Sequence, residues 1–487
     1  MTRTAKLAIT LSILAVAARL ILIDQPYIDR WSWRQSDVAS IARNFEENGF
    51  HFTHPQIDWA GDAPGYVGTE FPILPFVAAI CYKFAGVHEW IGRWQAVIFF
   101  AASLPFFFLL VREIFDDRAA IWATFFYSFA PLNVFAGRSF MPDVPSLSLA
   151  LIGLYFFLRW IDGEKSTSLF AAATVILFAL LIKLPSAIIG APLLFLVSQK
   201  WRWNFVRQPT LWLFATITIL PSIAWYWHAH QISEKFYPHH FFGAGGIRIE
   251  KFSWYWKIVL LTGTSSLTPI LSVFALAGLF VAPRGKYARV FHWWLAAMIL
   301  IIIVVGYGNR HPWYQLPLVP IAAVFAGAAC AFIGSKISDS RVAMITFSIF
   351  LAISFSVRSW FYLRPLYRSA AAELRDAGLE LRNHTAPDAL IIAADNGDPT
   401  IFYYAQRRGW HFLEKDGIYQ GNPIDNEQLI VDLAKLRSHG TTHLVFTTNT
   451  FWWLEYYPEF ARHLAENAAL LQATPQFRIY GLTSTTR

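Results

Sequence analysis

The chain of 487 residues is rich in hydrophobic side chains (55%) and poor in charged ones (15%), and 17% of its residues are aromatic. These proportions exclude an ordinary soluble domain and favour a membrane protein with aromatic belts at the interfaces. Two cysteines exclude a disulfide framework. The excess of 40 Lys and Arg over 32 Asp and Glu is expected in short cytoplasmic loops rather than on a nucleic-acid-binding surface.

Apolar runs recur from residue 7 to residue 363. Because a bilayer span needs about 20 mostly apolar residues, the runs predict a polytopic α-helical membrane protein with about eleven spans. The first run continues through Ile23, so it is expected to be an uncleaved helix rather than a signal peptide. The expected spans lie near residues 7–23, 91–111, 119–136, 145–161, 168–182, 184–198, 210–229, 259–282, 290–306, 314–334 and 341–363.

Lys and Arg cluster in short loops between these runs, which predicts that the loops are cytoplasmic. Phe71–Val87 is then expected to be a juxtamembrane or re-entrant helix, because a further crossing would place the later basic loops outside. The chain is expected in the inner (plasma) membrane with a cytoplasmic N-terminus. The basic loops are Arg112–Arg118, Arg159–Lys165, Lys200–Arg207, Arg284–Arg289 and Lys336–Arg341.

The composition changes after Tyr362, where polar residues become frequent. Ala389–Ala394 and Thr442–Phe446 have the pattern of buried strands, and Ser369–Arg382 and Asp425–Arg437 that of amphipathic helices. Alternating helices and strands predict a small extracytoplasmic α/β domain. The expected domains are therefore a transmembrane module, residues 1–363, with its first extracytoplasmic loop at 24–90, and a soluble domain, residues 364–487.

Ionisable residues gather on the predicted outward-facing side. Residues 34–45 predict a short amphipathic helix whose apolar face, with Val38, Ile41 and Phe45, can rest on lipid while Arg34 and Asp37 point toward a cavity. Cations at this depth can hold a lipid-linked phosphate, and a carboxylate can take a proton from a hydroxyl. The candidates outside this helix include Asp29, Glu70, Arg138, Asp143, Lys183, Arg310, His311 and Tyr314.

The order of five motifs resembles the GT-C superfamily of membrane glycosyltransferases, over residues 5–335. The nearer similarity is to protein O-mannosyltransferases and bacterial lipid A aminoarabinose transferases. This resemblance implies a polyprenyl-phosphate sugar donor, a glycan, lipid or protein acceptor, and inversion with an acidic base in the first outer loop. The motifs are Trp33-Arg-Gln-Ser-Asp37 with Ile41-Ala-Arg43-Asn-Phe45, Glu70-Phe-Pro-Ile-Leu-Pro75, Arg138-Ser-Phe-Met-Pro-Asp143, Lys183-Leu-Pro185 and His311-Pro-Trp-Tyr314-Gln-Leu-Pro317.

The chain departs from the family pattern in the first loop. The family has an Asp-Glu pair soon after the first span, whereas here single acids stand at Asp29 and Asp37. Asp37 is the preferred base because it lies inside the matching helix, with Asp29 as its rival. Glu70 takes the place of a basic residue of the family, so the resemblance leaves phosphate binding to Arg34, Lys183 or Arg310.

Simpler roles compete at several positions. Asp143 precedes a span and is suited to an N-cap, while Lys183 can extend toward the interface without binding a ligand. The His residues at 228, 230, 239 and 240 lack the usual ligand spacing, so no metal site is expected. No cofactor is certain, and a divalent cation is left open. The alternatives to an enzyme are a lipid or polysaccharide transporter or flippase and a scaffold for envelope glycan assembly.

Overall fold

The computed structural model describes residues 2–237, 247–281, 287, 289–337, 339–415 and 418–482. Its helices are α1 (Arg3–Arg19), α2 (Ser32–Asn48), α3 (Ile73–Ala85), α4 (Glu89–Ile114), α5 (Asp117–Phe129), α6 (Pro131–Ala136), α7 (Asp143–Gly163), α8 (Ser166–Ile182), α9 (Gly190–Trp201), α10 (Pro209–Lys235), α11 (Phe252–Leu261), α12 (Pro269–Gly278), α13 (Val290–Val305), α14 (Leu318–Lys336), α15 (Arg341–Leu363), α16 (Ala372–His384), α17 (Thr400–Ala405), α18 (Asn426–Ser438), α19 (Phe451–Tyr456) and α20 (Pro458–Asn467). Its strands are β1 (Leu390–Ala394), β2 (Arg408–His411), β3 (Glu414–Lys415), β4 (Ile418–Tyr419), β5 (Thr441–Thr447), β6 (Ala468–Ala473) and β7 (Phe477–Leu482).

The helical membrane class is confirmed, but the span count is lower by helix length. Within the described residues, six helices are long and apolar enough to cross a bilayer, or up to seven if α11 and α12, bent by 107°, form one broken span. The segments expected at 7–23, 119–136, 168–182 and 184–198 form helices of only 17, 13, 17 and 12 residues. Proline explains one of them, because α5 stops before Pro131, where a helix-interior hydrogen bond would be lost.

The chain divides into two compact units. The first unit comprises Met1–Ile23, Arg93–Tyr226 and Ala244–Leu366, and the second unit comprises Asp24–Gly92, Trp227–Gly243 and Tyr367–Arg487. The loop expected as part of the transmembrane module therefore clusters with the C-terminal segment. The domain boundaries drawn from the sequence stay a prediction.

The first unit consists of packed helices. α5 and α12 both pack against α14, and α7 packs against α8. Gly278 on α12 allows one of these close approaches, since a Cβ there would lie 1.7 Å from the carbonyl oxygen of Phe325 on α14. Small residues of this kind are what membrane helix interfaces use, because apolar lipid supplies little hydrophobic driving force.

The second unit contains a five-stranded sheet with the order β2-β1-β5-β7-β6. β1 runs parallel to β2 and β5, whereas β7 runs antiparallel to β5 and β6. In register, Ile392 pairs with both Trp410 and Leu444. The strands and helices predicted at 389–394, 442–446, 369–382 and 425–437 are confirmed as β1, β5, α16 and α18.

Alternate residues of β1 enter two cores on opposite faces of this sheet, as strand geometry requires. Ile391 and Ala393 join a core that also holds residues of α2, α16 and α17, whereas Ile392 and Ala394 join one formed with α18 and α20.

The helix α3 has only 13 residues, about 20 Å of helix. That length is short of the hydrocarbon core, about 30 Å, and agrees with the expectation that Phe71–Val87 does not cross.

Candidate functional site

The predicted site residues fall into two sets, one in each unit. Asp29, Arg34, Asp37 and Glu70 belong to the second unit, and the remaining six belong to the first. The remaining six are Arg138, Asp143, Lys183, Arg310, His311 and Tyr314.

Asp29 closes the turn that leads into α2. Its Oδ1 accepts hydrogen bonds from the backbone N–H of Trp31 at 3.1 Å and from Nε2 of Gln35 at 2.8 Å. Trp31 is the N-cap residue of α2 and makes no side-chain cap of its own. Asp29 is fully buried, so this carboxylate satisfies backbone and side-chain donors at the start of the helix, as capping side chains do.

Asp37 lies one turn into α2, in a cluster with Arg34 and Glu70. Nη1 of Arg34 pairs with Oδ2 of Asp37, and its Nη2 lies 2.8 Å from Oε1 of Glu70. The other oxygen of Glu70 accepts a hydrogen bond from Oγ1 of Thr69 at 2.9 Å. The three charged side chains are only 13%, 6% and 11% exposed, respectively for Arg34, Asp37 and Glu70. One guanidinium thus faces two carboxylates.

The apolar face of α2 was expected to rest on lipid, and this is wrong in the structure. Val38, Ile41 and Phe45 are 6%, 3% and 3% exposed. Ile41 and Phe45 pack in the core that contains Ile391 and Ala393 of β1. Hydrophobic periodicity showed which face is apolar, but it could not show whether protein or lipid covers that face.

Asp143 and Lys183 form a buried ion pair in the first unit. Nζ of Lys183 lies 2.5 Å from Oδ1 of Asp143, with side chains 10% and 3% exposed, and 5.0 Å from the centre of the Tyr314 ring. Oδ2 of Asp143 is buried without a hydrogen-bond partner among the described residues. Asp143 is the first residue of α7 and the N-cap, Pro142, makes no side-chain bond. The carboxylate therefore faces a cation rather than capping the helix.

The other first-unit candidates occupy different surroundings. Arg138 is fully buried, with its guanidinium 5.5 Å from the Phe135 ring. His311 stacks on Trp313 with ring centres 4.5 Å apart and planes 4° from parallel. Arg310 is exposed over Tyr307, at 4.6 Å, and no carboxylate of the described residues lies within 4.0 Å of it. Among the predicted cations, Arg310 therefore keeps its charge uncompensated.

Arg19 is a buried charge that the sequence analysis did not single out. It is fully buried at the end of α1, where Nη1 donates to the carbonyl oxygens of Ala15 at 2.8 Å and Ser128 at 3.1 Å, and Nη2 to that of Asn133 at 3.1 Å. Its guanidinium lies 3.2 Å from the Phe100 ring centre. The sequence did contain a signal for this residue, because a cation within an apolar run usually has a functional or structural role.

Two acids in the loop after β1, Asp395 and Asp398, have pKa values that their surroundings raise. Asp395 accepts from the N–H of Gly397 at 3.0 Å and lies 2.8 Å from Nδ1 of His411. Oδ1 of Asp398 accepts from the N–H of Thr400 at 3.0 Å and Oδ2 from Oγ of Ser32 at 3.2 Å. Burial raises the pKa of Asp395 and raises that of Asp398 to about 6, because desolvation disfavours the charged carboxylate.

No group of three or more metal-binding side chains occurs in the part of the chain that the structure describes. His228 lies near His54, with ring centres 5.8 Å apart, and burial together with the charge of His228 lowers the pKa of His54. His239 and His240 lie outside the described residues.

Comparisons with known proteins agree on the fold. Residues 64–227 match the family described as dolichyl-phosphate-mannose-protein mannosyltransferase, and no curated protein matches the chain. The structure of ArnT from Cupriavidus metallidurans in the apo state has a TM-score of 0.71 at 14% identity, covering 99% of each chain. The same protein bound to undecaprenyl phosphate gives 0.69 at 14% identity, again over 99% of each.

A second similar structure is the archaeal oligosaccharyltransferase AglB from Archaeoglobus fulgidus, in complex with an inhibitory peptide and a dolichol-phosphate. It has a TM-score of 0.63 and 14% identity, over 99% of this chain and 74% of that one. The oligosaccharyltransferase from the same organism is also known with Zn and sulfate, at a TM-score of 0.62 and 13% identity, over 98% and 73% of the chains. The predicted resemblance to GT-C proteins, and with it the GT-C-like fold, is confirmed.

Proposed function

We propose that the chain is a GT-C-type glycosyltransferase that moves a sugar from a polyprenyl-phosphate donor to an acceptor hydroxyl. The observation that carries the proposal is a buried carboxylate, Asp37, paired with Arg34 at the start of α2 in a GT-C-like fold. The similar proteins bound to undecaprenyl phosphate and dolichol-phosphate support a lipid-phosphate donor. A glycan, a lipid or a protein is the acceptor class.

In the proposed reaction, Asp37 removes the proton of the acceptor hydroxyl as the oxygen attacks the anomeric carbon. The bond from that carbon to the phosphate oxygen breaks, and its electron pair leaves with the polyprenyl phosphate. Attack from the side opposite the phosphate inverts the anomeric configuration. The proton taken by Asp37 then passes to solvent, which restores the carboxylate.

The geometry favours Asp37 over Asp29 as the base. Asp29 is fully buried, and Oδ1 is occupied by the Trp31 N–H and the Gln35 amide, a structural task at the helix start. Asp37 pairs with Arg34, and such a pair is formed by the ionised carboxylate, which is the form a base needs.

For the donor phosphate, we favour cations of the first unit over Arg34. Arg34 already faces the carboxylates of Asp37 and Glu70, so a phosphate would compete with them for this guanidinium. Arg310 is exposed and has no carboxylate partner among the described residues, and a guanidinium binds phosphate in bidentate fashion. Lys183 is the second candidate, although its pair with Asp143 competes for the ammonium group.

The proposed location is the outer face of the membrane, with the N-terminus in the cytoplasm and residues 364–487 outside. This orientation rests on the short basic loops, which stay cytoplasmic in most membrane proteins. Arg112–Arg118 and Arg159–Lys165 are two of these loops.

The test measures sugar transfer by the purified full-length chain in liposomes. The donors supplied are pentoses and hexoses linked to undecaprenyl phosphate, and the acceptor is a cell-envelope extract that contains hydroxyl-bearing molecules. Release of undecaprenyl phosphate together with a glycosylated product is the expected result, and proton NMR of the product should show the inverted anomer. Asp37→Asn should lose transfer by about 10²–10⁴-fold. Asp29→Asn is the matched control, because it makes the same change in a nearby buried acid. The folded fraction of this variant should transfer sugar at the wild-type rate.

Two outcomes would redirect the proposal. An active Asp37→Asn beside a folded but inactive Asp29→Asn would move the base to Asp29. Movement of the intact donor lipid between leaflets, without sugar transfer from any donor supplied, would favour the transporter or flippase alternative.

A further inference from the structure

A side of α2 other than the one that carries Asp37 holds small polar residues and one arginine. An α-helix turns by about 100° per residue, so Ser32, Ser36 and Arg43 lie within about 40° of one another around the axis. By the same geometry, Asp37 lies about 100–140° and Arg34 about 160–180° away from that stripe. The proposed base and this polar stripe therefore occupy different sides of one helix.

Each residue of the stripe bonds to one short segment, residues 398–403. Oγ of Ser32 donates to Oδ2 of Asp398 at 3.2 Å, and Oγ of Ser36 lies 3.1 Å from Oγ1 of Thr400. Nη1 of Arg43 donates to the carbonyl oxygen of Tyr403 at 2.5 Å. These contacts extend over about three turns of α2, so they fix both its rotation and its position along the axis.

The segment that makes these contacts is itself held by the sheet. The N–H of Thr400 bonds to Asp398 at 3.0 Å, and Asp395 at the end of β1 bonds to the N–H of Gly397 at 3.0 Å and to His411 on β2 at 2.8 Å. α17 also packs against α16. A rigid support of this kind is what a precisely placed catalytic side chain requires.

We infer that residues 395–403, hereafter the clamp segment, orient α2 so that Asp37 reaches the acceptor hydroxyl, with Asp398 and Thr400 as positioning residues. This inference rests on the proposed function, because it assumes that Asp37 is the base. A general base works when its oxygen lies about 2.6–3.2 Å from the atom that carries the proton, or reaches that atom through one water. A displacement of about 1 Å can lower the rate by about 100-fold, so small changes in the clamp segment reach the chemistry without touching the substrate.

The experiment compares Thr400→Val with Thr450→Val in the full-length chain. Both threonines are fully buried in the second unit. Oγ1 of Thr450 donates to the carbonyl oxygen of Ala394 at 2.7 Å, and its bonds do not involve α2, so Thr450→Val is a matched control for a lost buried hydroxyl. Thr400→Ser is the conservative variant that retains the hydroxyl.

Thr400→Val should lower kcat by about 10–100-fold with the KM for the donor nearly unchanged, and Thr400→Ser should restore kcat. Thr450→Val should lower the thermal unfolding midpoint about as much as Thr400→Val does. The folded fraction of Thr450→Val should nevertheless keep the wild-type kcat. Combining Ser36→Ala with Thr400→Val should cost no more than the larger single effect, because the two changes remove one contact.

The inference is overturned if the two valine variants lose activity in parallel with their folded fractions, or if Thr400→Ser does not restore kcat. An inactive Asp37→Asn together with wild-type kcat in Thr400→Val would refute the clamp segment alone. Full activity in Asp37→Asn would remove the base, and the inference would fall with the proposed function.

Discussion

The pair between Lys183 and Asp143 makes a prediction whose size follows from its burial. At 10% and 3% exposed and 2.5 Å apart, the two side chains belong with buried ion pairs rather than with surface pairs, which contribute about 0–1 kcal/mol. Lys183→Met leaves the Asp143 carboxylate buried without its cation, and Oδ2 already lacks a partner among the described residues. We expect the free energy of unfolding to fall by about 3–5 kcal/mol.

The double variant Lys183→Met with Asp143→Asn separates pairing from phosphate binding. It removes both charges, so most of the lost stability should return, since replacing both partners is far less costly than removing one. Donor use should stay impaired if Lys183 also contacts the phosphate. The assay is unfolding in detergent followed by tryptophan fluorescence, together with the donor concentration dependence of transfer. Wild-type stability in Lys183→Met would refute the reasoning from burial.

Three further predictions can be checked independently. Ala434→Cys, at an exposed position of α18, in a Cys81→Ser background should react with an impermeant maleimide on intact cells, and labelling only after permeabilisation would reverse the proposed topology. Arg19→Met removes donors to three carbonyl oxygens and should lower the unfolding free energy by about 1.5–3 kcal/mol; an unchanged unfolding curve would contradict this. The pKa of Asp398 is raised to about 6 from an ordinary value of about 3.9. The protonated carboxyl group therefore stabilises the folded state fully at low pH, and this stabilisation is lost as the pH rises from about 4 to about 6. Asp398→Asn should flatten the pH dependence of the unfolding midpoint over this range, and a curve parallel to wild type would argue against it.

Local sequence patterns were sufficient for elements whose signal lies within one segment. The apolar run Ala389–Ala394 and the amphipathic pattern of Asp425–Arg437 predicted a strand and a helix, which the structure contains as β1 and α18. The number of spans was harder, because helix breaks inside apolar runs depend on local geometry. The end of a span at residue 182 was predicted, and α8 does end at Ile182, but a helix of 17 residues is shorter than the helices long enough to cross the bilayer.

The candidate site shows the same limit at the level of side chains. The sequence singled out Arg34, Asp37 and Glu70 separately, but it offered no means of knowing that one guanidinium faces both carboxylates. It likewise treated Asp143 as a possible helix cap, because the pairing with Lys183 joins positions 40 residues apart. Contacts over such separations depend on how the chain packs, and a single sequence does not report them.

The second unit is built from chain segments that are far apart in the sequence, and this has a consequence for biosynthesis. Arg43 bonds to the backbone of Tyr403, which follows it by 360 residues. At about 5–20 residues per second, a ribosome needs roughly 20–70 s to make that stretch, so the early loop must wait for its partner. During this interval Ile41 and Phe45, which end in a buried core, are exposed to membrane chaperones and proteases. A nascent chain arrested before α16 should consequently be degraded faster than the finished protein.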